Sequence, residues 1–229
     1  MVIDDMEDHS DPEKIRYIAR NNLCKYTRKA FNTLPSLKNP RILDIGCGSG
    51  VPTIELTKLC DCRIVALDND SSQLKLLDKK LKEQGLTKRV EVLNRSITDM
   101  NFDAGSFDII WSEGSIFVVG FKRGLKQWRH FLRPGGFMAV HDEKGDVEEK
   151  LRFIAHSGYR LLDYFILDRD IWWREYCSPL ESEIQKIRER YPDRPDVLKK
   201  FKKEQGELDL FKKDPGKFES VFFVIQKME

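Results

Sequence analysis

A repeated alternation between short apolar segments and amphipathic segments constrains the fold of this chain more than any other feature. The first apolar segment, 41–45, leads into a glycine-rich loop and then a helical pattern. Continuously apolar strands that alternate with helices are typical of βαβ units, in which helices cover both faces of a parallel sheet. The pattern therefore predicts an α/β fold with a doubly wound, mostly parallel sheet. The other strands are predicted at 63–68, 90–93, 107–111, 137–140, within 159–167 and at 221–225.

Two helical regions lie outside this alternation. Apolar residues at helical spacing predict an N-terminal helix over 12–33. Residues 171–213 are rich in Lys, Arg and Glu and have no strand pattern, which predicts a helical insertion between the last two strands. The length of 229 residues favours a single domain, with a nucleotide-binding core over 41–168 and the last strand over 219–228.

Capping and turn residues mark several boundaries. Asp70 and Asp146 are each followed three residues later by Gln or Glu, which predicts the start of two helices. A further helix is predicted over 121–132. The segment 134–136, Pro-Gly-Gly, predicts a turn before the next strand.

Composition narrows the function classes. The chain has 40 Lys and Arg against 38 Asp and Glu, a net charge of +2, so no nucleic acid and no membrane partner is expected. No apolar run approaches the roughly 20 residues that span a bilayer. The first 13 residues are acidic and lack the apolar segment of a signal peptide. Five cysteines without a CxxC pair indicate reduced structural thiols, no metal site and a cytoplasmic protein.

The loop after the first strand is the most informative segment for function. It has the spacing G-x-G-x-G through Gly46, Gly48 and Gly50, whereas a dinucleotide fold requires a third glycine where Val51 stands. Asp44 lies two residues before the first glycine. A carboxylate would repel a pyrophosphate but would attract a sulfonium and an ammonium group, so the charge favours S-adenosylmethionine (SAM) over NAD.

An acid at the end of the second strand adds to this interpretation. Asp68 follows Gly46 by 22 residues, where a carboxylate can accept hydrogen bonds from both ribose hydroxyls. A phosphate beside this carboxylate is disfavoured, which argues against NADP. The next residue, Asn69, is a candidate neighbour of the adenine.

Four segments occur together in the order and spacing of one family, over residues 41–143. They are LDIGCGSG at 43–50, Asp68, FDII at 107–110 and LRPGG at 132–136. With them the chain resembles the class I SAM-dependent methyltransferases. It is most similar to those of ubiquinone and menaquinone biosynthesis, and to uncharacterised prokaryotic methyltransferases that share the WSEG segment at 111–114.

The resemblance implies a fold and a set of cofactor contacts. The implied fold is Rossmann-like, with seven strands in the order 3-2-1-4-5-7-6 and an antiparallel last strand. It implies that Cys47 and the loop glycines contact SAM and that Ser96 and the Ile97 backbone line the adenine. The family usually has an Asp where Ser96 stands, and Asp99 is the alternative reader of the adenine.

Acidic and histidine side chains end the fourth and fifth predicted strands. Glu113 ends the fourth strand, and His141 and Asp142 end the fifth. Parallel strands bring their carboxyl ends to one edge, so all three are candidate general bases, and Glu113 is also a candidate cofactor contact. The competing interpretation is surface polarity at the end of a core strand.

Aromatic residues begin the helical insertion. Trp172, Trp173 and Tyr176 are candidates for the apolar wall of an acceptor pocket, with Tyr17 of the first helix facing them. In this interpretation both helical regions form a lid that excludes water during the reaction. The competing interpretation is that these aromatic residues form a core.

These observations predict a SAM-dependent methyltransferase that transfers a methyl group to a small-molecule acceptor by in-line displacement. A methyltransferase for RNA or protein is the first alternative, although no basic groove is evident and the run 199–203 is interpreted as a solvated face. A non-catalytic SAM- or nucleotide-binding module is the second. An NAD-dependent oxidoreductase is a weaker third.

Overall fold

The computed structural model describes residues 11–229. The acidic N-terminal stretch used in the signal-peptide prediction lies largely outside these residues. The chain divides into two compact units, and the single domain stays a prediction. The sheet unit comprises Cys24–Ile166 and Ser220–Glu229. The helical unit comprises the described residues up to Leu23 together with Leu167–Glu219.

A seven-stranded sheet in the order β3-β2-β1-β4-β5-β7-β6 forms the sheet unit, which confirms the predicted fold class. Strands β1 to β5 pair in parallel, and β7 pairs antiparallel with β5. The central strands are buried on both faces because apolar residues occupy successive positions. The strands are β1 Arg41–Ile45, β2 Arg63–Asp68, β3 Val90–Asn94, β4 Phe107–Glu113, β5 Leu132–Glu143, β6 Tyr159–Leu167 and β7 Ser220–Lys227.

Helices connect the parallel strands. The predicted N-caps at Asp70 and Asp146 are confirmed, because each carboxylate accepts from backbone N–H groups of the first helical turn. The helices of the sheet unit are α2 Cys24–Asn32, α3 Val51–Leu59, α4 Ser71–Glu83, α5 Phe121–Trp128 and α6 Val147–His156, with a 3₁₀ turn at Ile116–Val118.

Strand β5 begins earlier than the sequence pattern indicated. The predicted helix over 121–132 ends at Trp128, and β5 already starts at Leu132. The segment 134–136, predicted as a turn, lies within the bounds of β5, at a point where the pairing with β4 is interrupted. The register against β4 shifts between Phe107 and Ile109, and Gly135 has a φ of 70°. A type II turn requires a positive φ at the residue after its proline, so the backbone at Gly135 agrees with the predicted turn.

The register places the ends of four parallel strands at one edge of the sheet. Asp44 lies opposite Ala66 in the β1–β2 pair, and Ile45 lies opposite Leu67. On the other side of β1, Glu113 of β4 lies opposite His141 of β5. This carboxyl edge is where open α/β sheets bind their ligands.

The helical unit has its own apolar core. Tyr176, Leu180, Ile184 and Leu208 are buried in it, and residues of the first helix join them. A buried ion pair between Arg16 and Glu204 links the first helix to the last α-helix of the unit. The elements are α1 Pro12–Asn21, α7 Arg169–Trp172, a π-helical turn Trp173–Cys177, α8 Ser178–Arg190, α9 Pro195–Lys200, α10 Lys202–Lys213 and a 3₁₀ turn Pro215–Phe218.

The predicted single helix over 12–33 is wrong, because α1 ends at Asn21 and α2 begins at Cys24. The side-chain amide of Asn22 donates to the carbonyl of Glu175 at 3.0 Å. The helices on the two sides of the break are buried in different cores, that of the helical unit for α1 and that of the sheet unit for α2.

Among residues 11–229, no helix combines the length and the apolar character needed to cross a membrane.

Candidate cofactor-binding site

Backbone hydrogen bonds fold the glycine loop onto the end of β2. The amides of Gly46 and Cys47 both donate to the carbonyl of Leu67, at 2.8 and 3.0 Å. The amide of Gly50 donates to the Cys47 carbonyl at 2.9 Å and begins the turn into α3. The loop is thereby fixed beside Asp68, although the two segments are some twenty residues apart in sequence.

Two of the three loop glycines are required by packing. A Cβ atom on Gly46 would lie 2.3 Å from the Ser115 Cβ, and one on Gly50 would lie 2.2 Å from Leu77 Cδ1. Gly48 differs, because a Cβ there would meet no atom within 4 Å. All three have positive φ values, which disfavour other residues. Gly48 therefore leaves open space at the surface of the loop, as a closely approaching ligand requires.

Asp68 connects the loop to the following helix. Its Oδ2 accepts from the Gly48 amide at 2.9 Å, and its Oδ1 accepts from the Asp70 amide at 2.9 Å. The side chain is only partly buried. A carboxylate has about four acceptor positions, so these two bonds leave two positions for the hydroxyls of a ligand.

Asp44 is almost completely buried below the loop. Its Oδ2 accepts from the Thr53 hydroxyl at 2.5 Å. Burial raises the pKa of Asp44 to about 7, with the Thr53 hydrogen bond opposing the shift and the charge of Asp68 adding to it. A nearby cation would favour the ionised form and reverse part of this shift.

The predicted adenine residues follow β3. The Arg95 amide donates to the Asp68 carbonyl at 2.9 Å, which brings this loop next to the end of β2. Ser96 is half-buried, and its hydroxyl lies 2.8 Å from that of Thr98. Ile97 packs against the core of the sheet unit, whereas Asn69 is exposed. The adenine contacts stay a prediction, as does the alternative role of Asp99, which is also exposed.

Glu113 accepts hydrogen bonds that the sequence did not predict. Its Oε1 accepts from the Trp111 indole Nε1 at 2.7 Å and from the Thr27 hydroxyl at 2.8 Å. Thr27 is buried on α2, one turn after Cys24 and one turn before Ala30. A polar residue on the apolar face of a helix was the only sequence signal for this contact.

Ser115 is a second residue that sequence reasoning missed. Its hydroxyl donates to the Ile45 carbonyl at 2.6 Å and lies 2.7 Å from the Ser112 hydroxyl. All three groups are buried. Ser115 thus links the end of β1 to the end of β4, and the absence of a Cβ on Gly46 allows this close approach.

His141 and Asp142 are buried at the end of β5. The His141 ring stacks on Phe222 with a centroid distance of 4.2 Å, and its Nε2 lies 2.7 Å from the Ser220 hydroxyl. Burial lowers the pKa of His141 to about 3, so the imidazole is neutral and a weak base at pH 7. Asp142 forms an ion pair with Lys150 at 2.6 Å.

The four predicted acceptor residues all belong to the helical unit. Tyr176 is buried, and its hydroxyl donates to Glu207 Oε2 at 3.1 Å. Trp172 packs edge-on against Tyr176, and Trp173 stacks on Phe211. Tyr176 therefore takes part in a core, while Tyr17, Trp172 and Trp173 are half-buried. Their contact with an acceptor, and the lid, stay predictions.

Comparison with known proteins concerns the domain and the fold that carry these residues. Residues 42–136 match the family described as "Methyltransferase domain". The sterol 24-C-methyltransferase of Candida albicans is 28% identical over 126 residues, which cover 52% of this chain and 34% of that protein. The chain therefore spans about a third of the length of such curated relatives.

The solved structures match a larger share of the chain than the curated relatives do. A SAM-dependent methyltransferase from Geobacter sulfurreducens, in complex with S-adenosyl-L-homocysteine, has a TM-score of 0.69 at 15% identity and covers 93% of this chain and 97% of its own. A cyclopropane synthase from Mycobacterium tuberculosis also has a TM-score of 0.69, at 18% identity, and covers 89% and 84%. At these identities the likeness shows the fold. The chain therefore has the class I SAM-dependent methyltransferase fold, and its residues 42–136 match the methyltransferase domain family.

Proposed function

We propose that this chain binds SAM and transfers its methyl group to a small-molecule acceptor by in-line displacement, with S-adenosyl-L-homocysteine as product. The observation that carries the proposal is the pairing of Asp68 with the Gly48 amide at the carboxyl edge of the sheet. It places a carboxylate with spare acceptor positions beside a loop that has open space above Gly48.

The residues at this edge fit SAM better than a dinucleotide. Asp68 would hold the ribose diol, which donates hydrogen bonds, whereas a phosphate on the ribose would be repelled. The buried Asp44 lies beneath the loop, where a pyrophosphate would add a like charge and a sulfonium or ammonium group an opposite one. Ser96 and Ile97 follow β3 next to Asp68 and would line the adenine.

Methyl transfer requires little covalent chemistry from the protein. When bound, SAM supplies a methyl group that is already activated by the sulfonium charge. The task of the chain is to hold the acceptor nucleophile in line with that group and to exclude water. Hydrogen bonds that fix the loop and the strand ends before the ligand arrives serve this task, because an ordered site loses less entropy on binding.

Among the three predicted bases, we favour Glu113 as the group that accepts a proton when the acceptor is protonated. The neutral His141 is too weak a base to drive proton transfer near pH 7. The carboxylate of Asp142 is held by Lys150. Glu113 lies only partly buried at the edge, with its Oε1 fixed by Thr27 and Trp111.

The proposal of a small-molecule acceptor is based on the relatives of this chain. The sterol 24-C-methyltransferases that match about half of this chain are named for a small-molecule acceptor. This favours a small molecule over RNA or protein for the present chain as well. The net charge of +2 gives no electrostatic reason for a polyanionic acceptor.

The proposal is tested by incubating the purified chain with SAM and a fractionated metabolite extract, and by following S-adenosyl-L-homocysteine with mass spectrometry. We expect product in at least one fraction, and at least about thirtyfold less with the Asp68→Ala variant at the same subsaturating SAM concentration. SAM binding by calorimetry without product in any fraction would instead indicate a non-catalytic module. Nicotinamide reduction in the same fractions would revive the oxidoreductase alternative.

A further inference from the structure

An apolar groove lies within the helical unit, between α8, α9 and the first half of α10. Its volume is about 500 Å³, and its lining is predominantly apolar. Ile184, Leu198 and Phe201 form its apolar floor. Pockets for small molecules typically have about 300–1,000 Å³, so the groove is large enough for one ligand.

A glycine in the middle of α10 lines this groove. Gly206 lines it, and a Cβ atom built on Gly206 would meet no atom within 4 Å. Its φ is not in the left-handed region. Neither packing nor backbone conformation therefore requires glycine here, and glycine is a poor residue for a helix interior. Glycine at this position lowers the stability of the helix and leaves space that a ligand could occupy.

Cationic side chains lie along the same groove. Arg188, Lys199 and Lys202 line it, against a single acid, Asp209. Within residues 11–229, none of these three cations forms an ion pair, whereas neighbouring basic residues such as Lys186 and Arg194 do. Arg188 donates to the neutral Gln205 amide oxygen at 2.6 Å, and Gln205 in turn donates to Asp209. The groove thus combines an apolar floor with a positive edge.

We propose that this groove is a second binding site, for a fatty carboxylate with a single aliphatic chain. The chain would lie on the apolar floor over Gly206, and the carboxylate would meet Lys199 and Lys202. Charge complementarity selects an anionic head group, and the single groove selects one chain rather than the two of a phospholipid. The site lies outside the candidate methyltransferase residues, so the proposal does not depend on methyl transfer.

The test measures dodecanoate binding to the delipidated full chain by calorimetry, below the concentration at which dodecanoate forms micelles. Gly206→Leu fills the groove and should weaken binding by at least about tenfold, whereas Gly206→Ala should weaken it less and stabilise the helix. Dodecyltrimethylammonium, with the same chain and a cationic head, should bind at least about tenfold more weakly than dodecanoate.

A matched pair of charge reversals tests the head group without changing packing. Lys199→Glu with Lys202→Glu should weaken dodecanoate binding by about tenfold or more. Lys200→Glu with Lys203→Glu changes the net charge equally in the same helices but outside the groove, and should leave binding unchanged. The comparison of these two double variants tests the proposal even if Gly206→Leu fails to fold. The Asp68→Ala variant should bind dodecanoate normally even if it loses SAM.

Several outcomes would overturn the proposal. One is no binding of dodecanoate by the unsubstituted chain, and another is equal binding by the groove variants and their controls. Sedimentation with phosphatidylglycerol vesicles without binding of free dodecanoate would assign the groove to a membrane surface. A dimer that Gly206→Leu abolishes would assign it to a second copy of the chain.

Discussion

The two halves of the carboxyl edge of the sheet are built in different ways. In the β1–β2 half, backbone amides of the glycine loop donate to a carbonyl or a carboxylate at the end of β2, about twenty residues away within one βαβ unit. In the β4–β5 half, Glu113 is bonded to Thr27, 86 residues away, and His141 to Ser220, 79 residues away. The first half is therefore contained in a single βαβ unit, whereas the second depends on partners about eighty residues away.

In both halves of the edge, burial shifts the pKa of a titratable group so that its neutral form is favoured. It raises the pKa of Asp44 to about 7 and lowers that of His141 to about 3, so each group is shifted toward its neutral form. Asp68 and Glu113 are the less buried acids of the edge. The comparison therefore predicts that Asp68 serves binding, that Glu113 serves catalysis, and that His141 serves neither directly.

The largest effect is expected from Glu113→Gln. This substitution keeps the size of the side chain and its acceptor oxygen but removes the proton acceptor. Loss of a general base typically slows turnover by about 10²–10⁴-fold. We expect this loss in kcat with SAM affinity nearly unchanged, measured by single-turnover product formation and calorimetry. Full turnover would show that the reaction proceeds by positioning alone.

The next effect is expected from Asp68→Ala, in the other half of the edge. Removing two charge-assisted hydrogen bonds to the ribose should cost about 2–4 kcal/mol, or on the order of 30- to 1,000-fold in SAM affinity. Asp70→Ala is the matched control, because it removes a neighbouring acid that caps α4. That variant should lose about 1 kcal/mol of stability and keep its affinity. Equal SAM affinities in the two variants would remove Asp68 from the site.

A smaller effect is expected from Thr27→Val, which keeps the shape of the side chain and removes the hydroxyl that donates to Glu113. A hydrogen bond to a charged group contributes about 1.5–3 kcal/mol, so kcat should fall by at least about tenfold. The pH profile of kcat should shift because the Glu113 carboxylate loses a donor. Thr27→Ser should restore both. A loss of stability without any change in the pH profile of kcat would show that Thr27 contributes only to packing.

Most of the sheet could be predicted from the sequence, because each strand is marked by its own residues. Ile42, Leu43 and Ile45 are apolar at successive positions, and a glycine loop follows them. The break between α1 and α2 could not be predicted, since the apolar spacing continues through it. The two helices are separate because each packs into the core of a different unit. A local sequence pattern carries no information about such distant partners.

The same limit applies to the site. Asp44, Gly48 and Asp68 could be proposed from the sequence because their spacing relative to the strands is itself the signal. Thr27 and Ser115 were missed because their partners, Glu113 and Ile45, are brought near only by the folded sheet. Sequence position also could not show that His141 is buried against Phe222, which changes its value as a base.

The smallest effect concerns the pH dependence of SAM binding in the β1–β2 half. With a pKa of about 7, the Asp44 carboxyl is mostly protonated below pH 7. A cationic ligand favours the ionised form, so binding below pH 7 releases a proton, and affinity should rise with pH up to about 7 and level off above it. The rise is at most about tenfold per pH unit. Asp44→Asn cannot titrate and should lack this component. SAM affinity is measured for both proteins at pH 5.5–8, by calorimetry in buffers of different ionisation enthalpy. The titration of SAM itself is the same in both measurements, so the difference between the two affinities reports the contribution of Asp44. Parallel profiles for the two proteins would show that Asp44 does not interact with the bound charge.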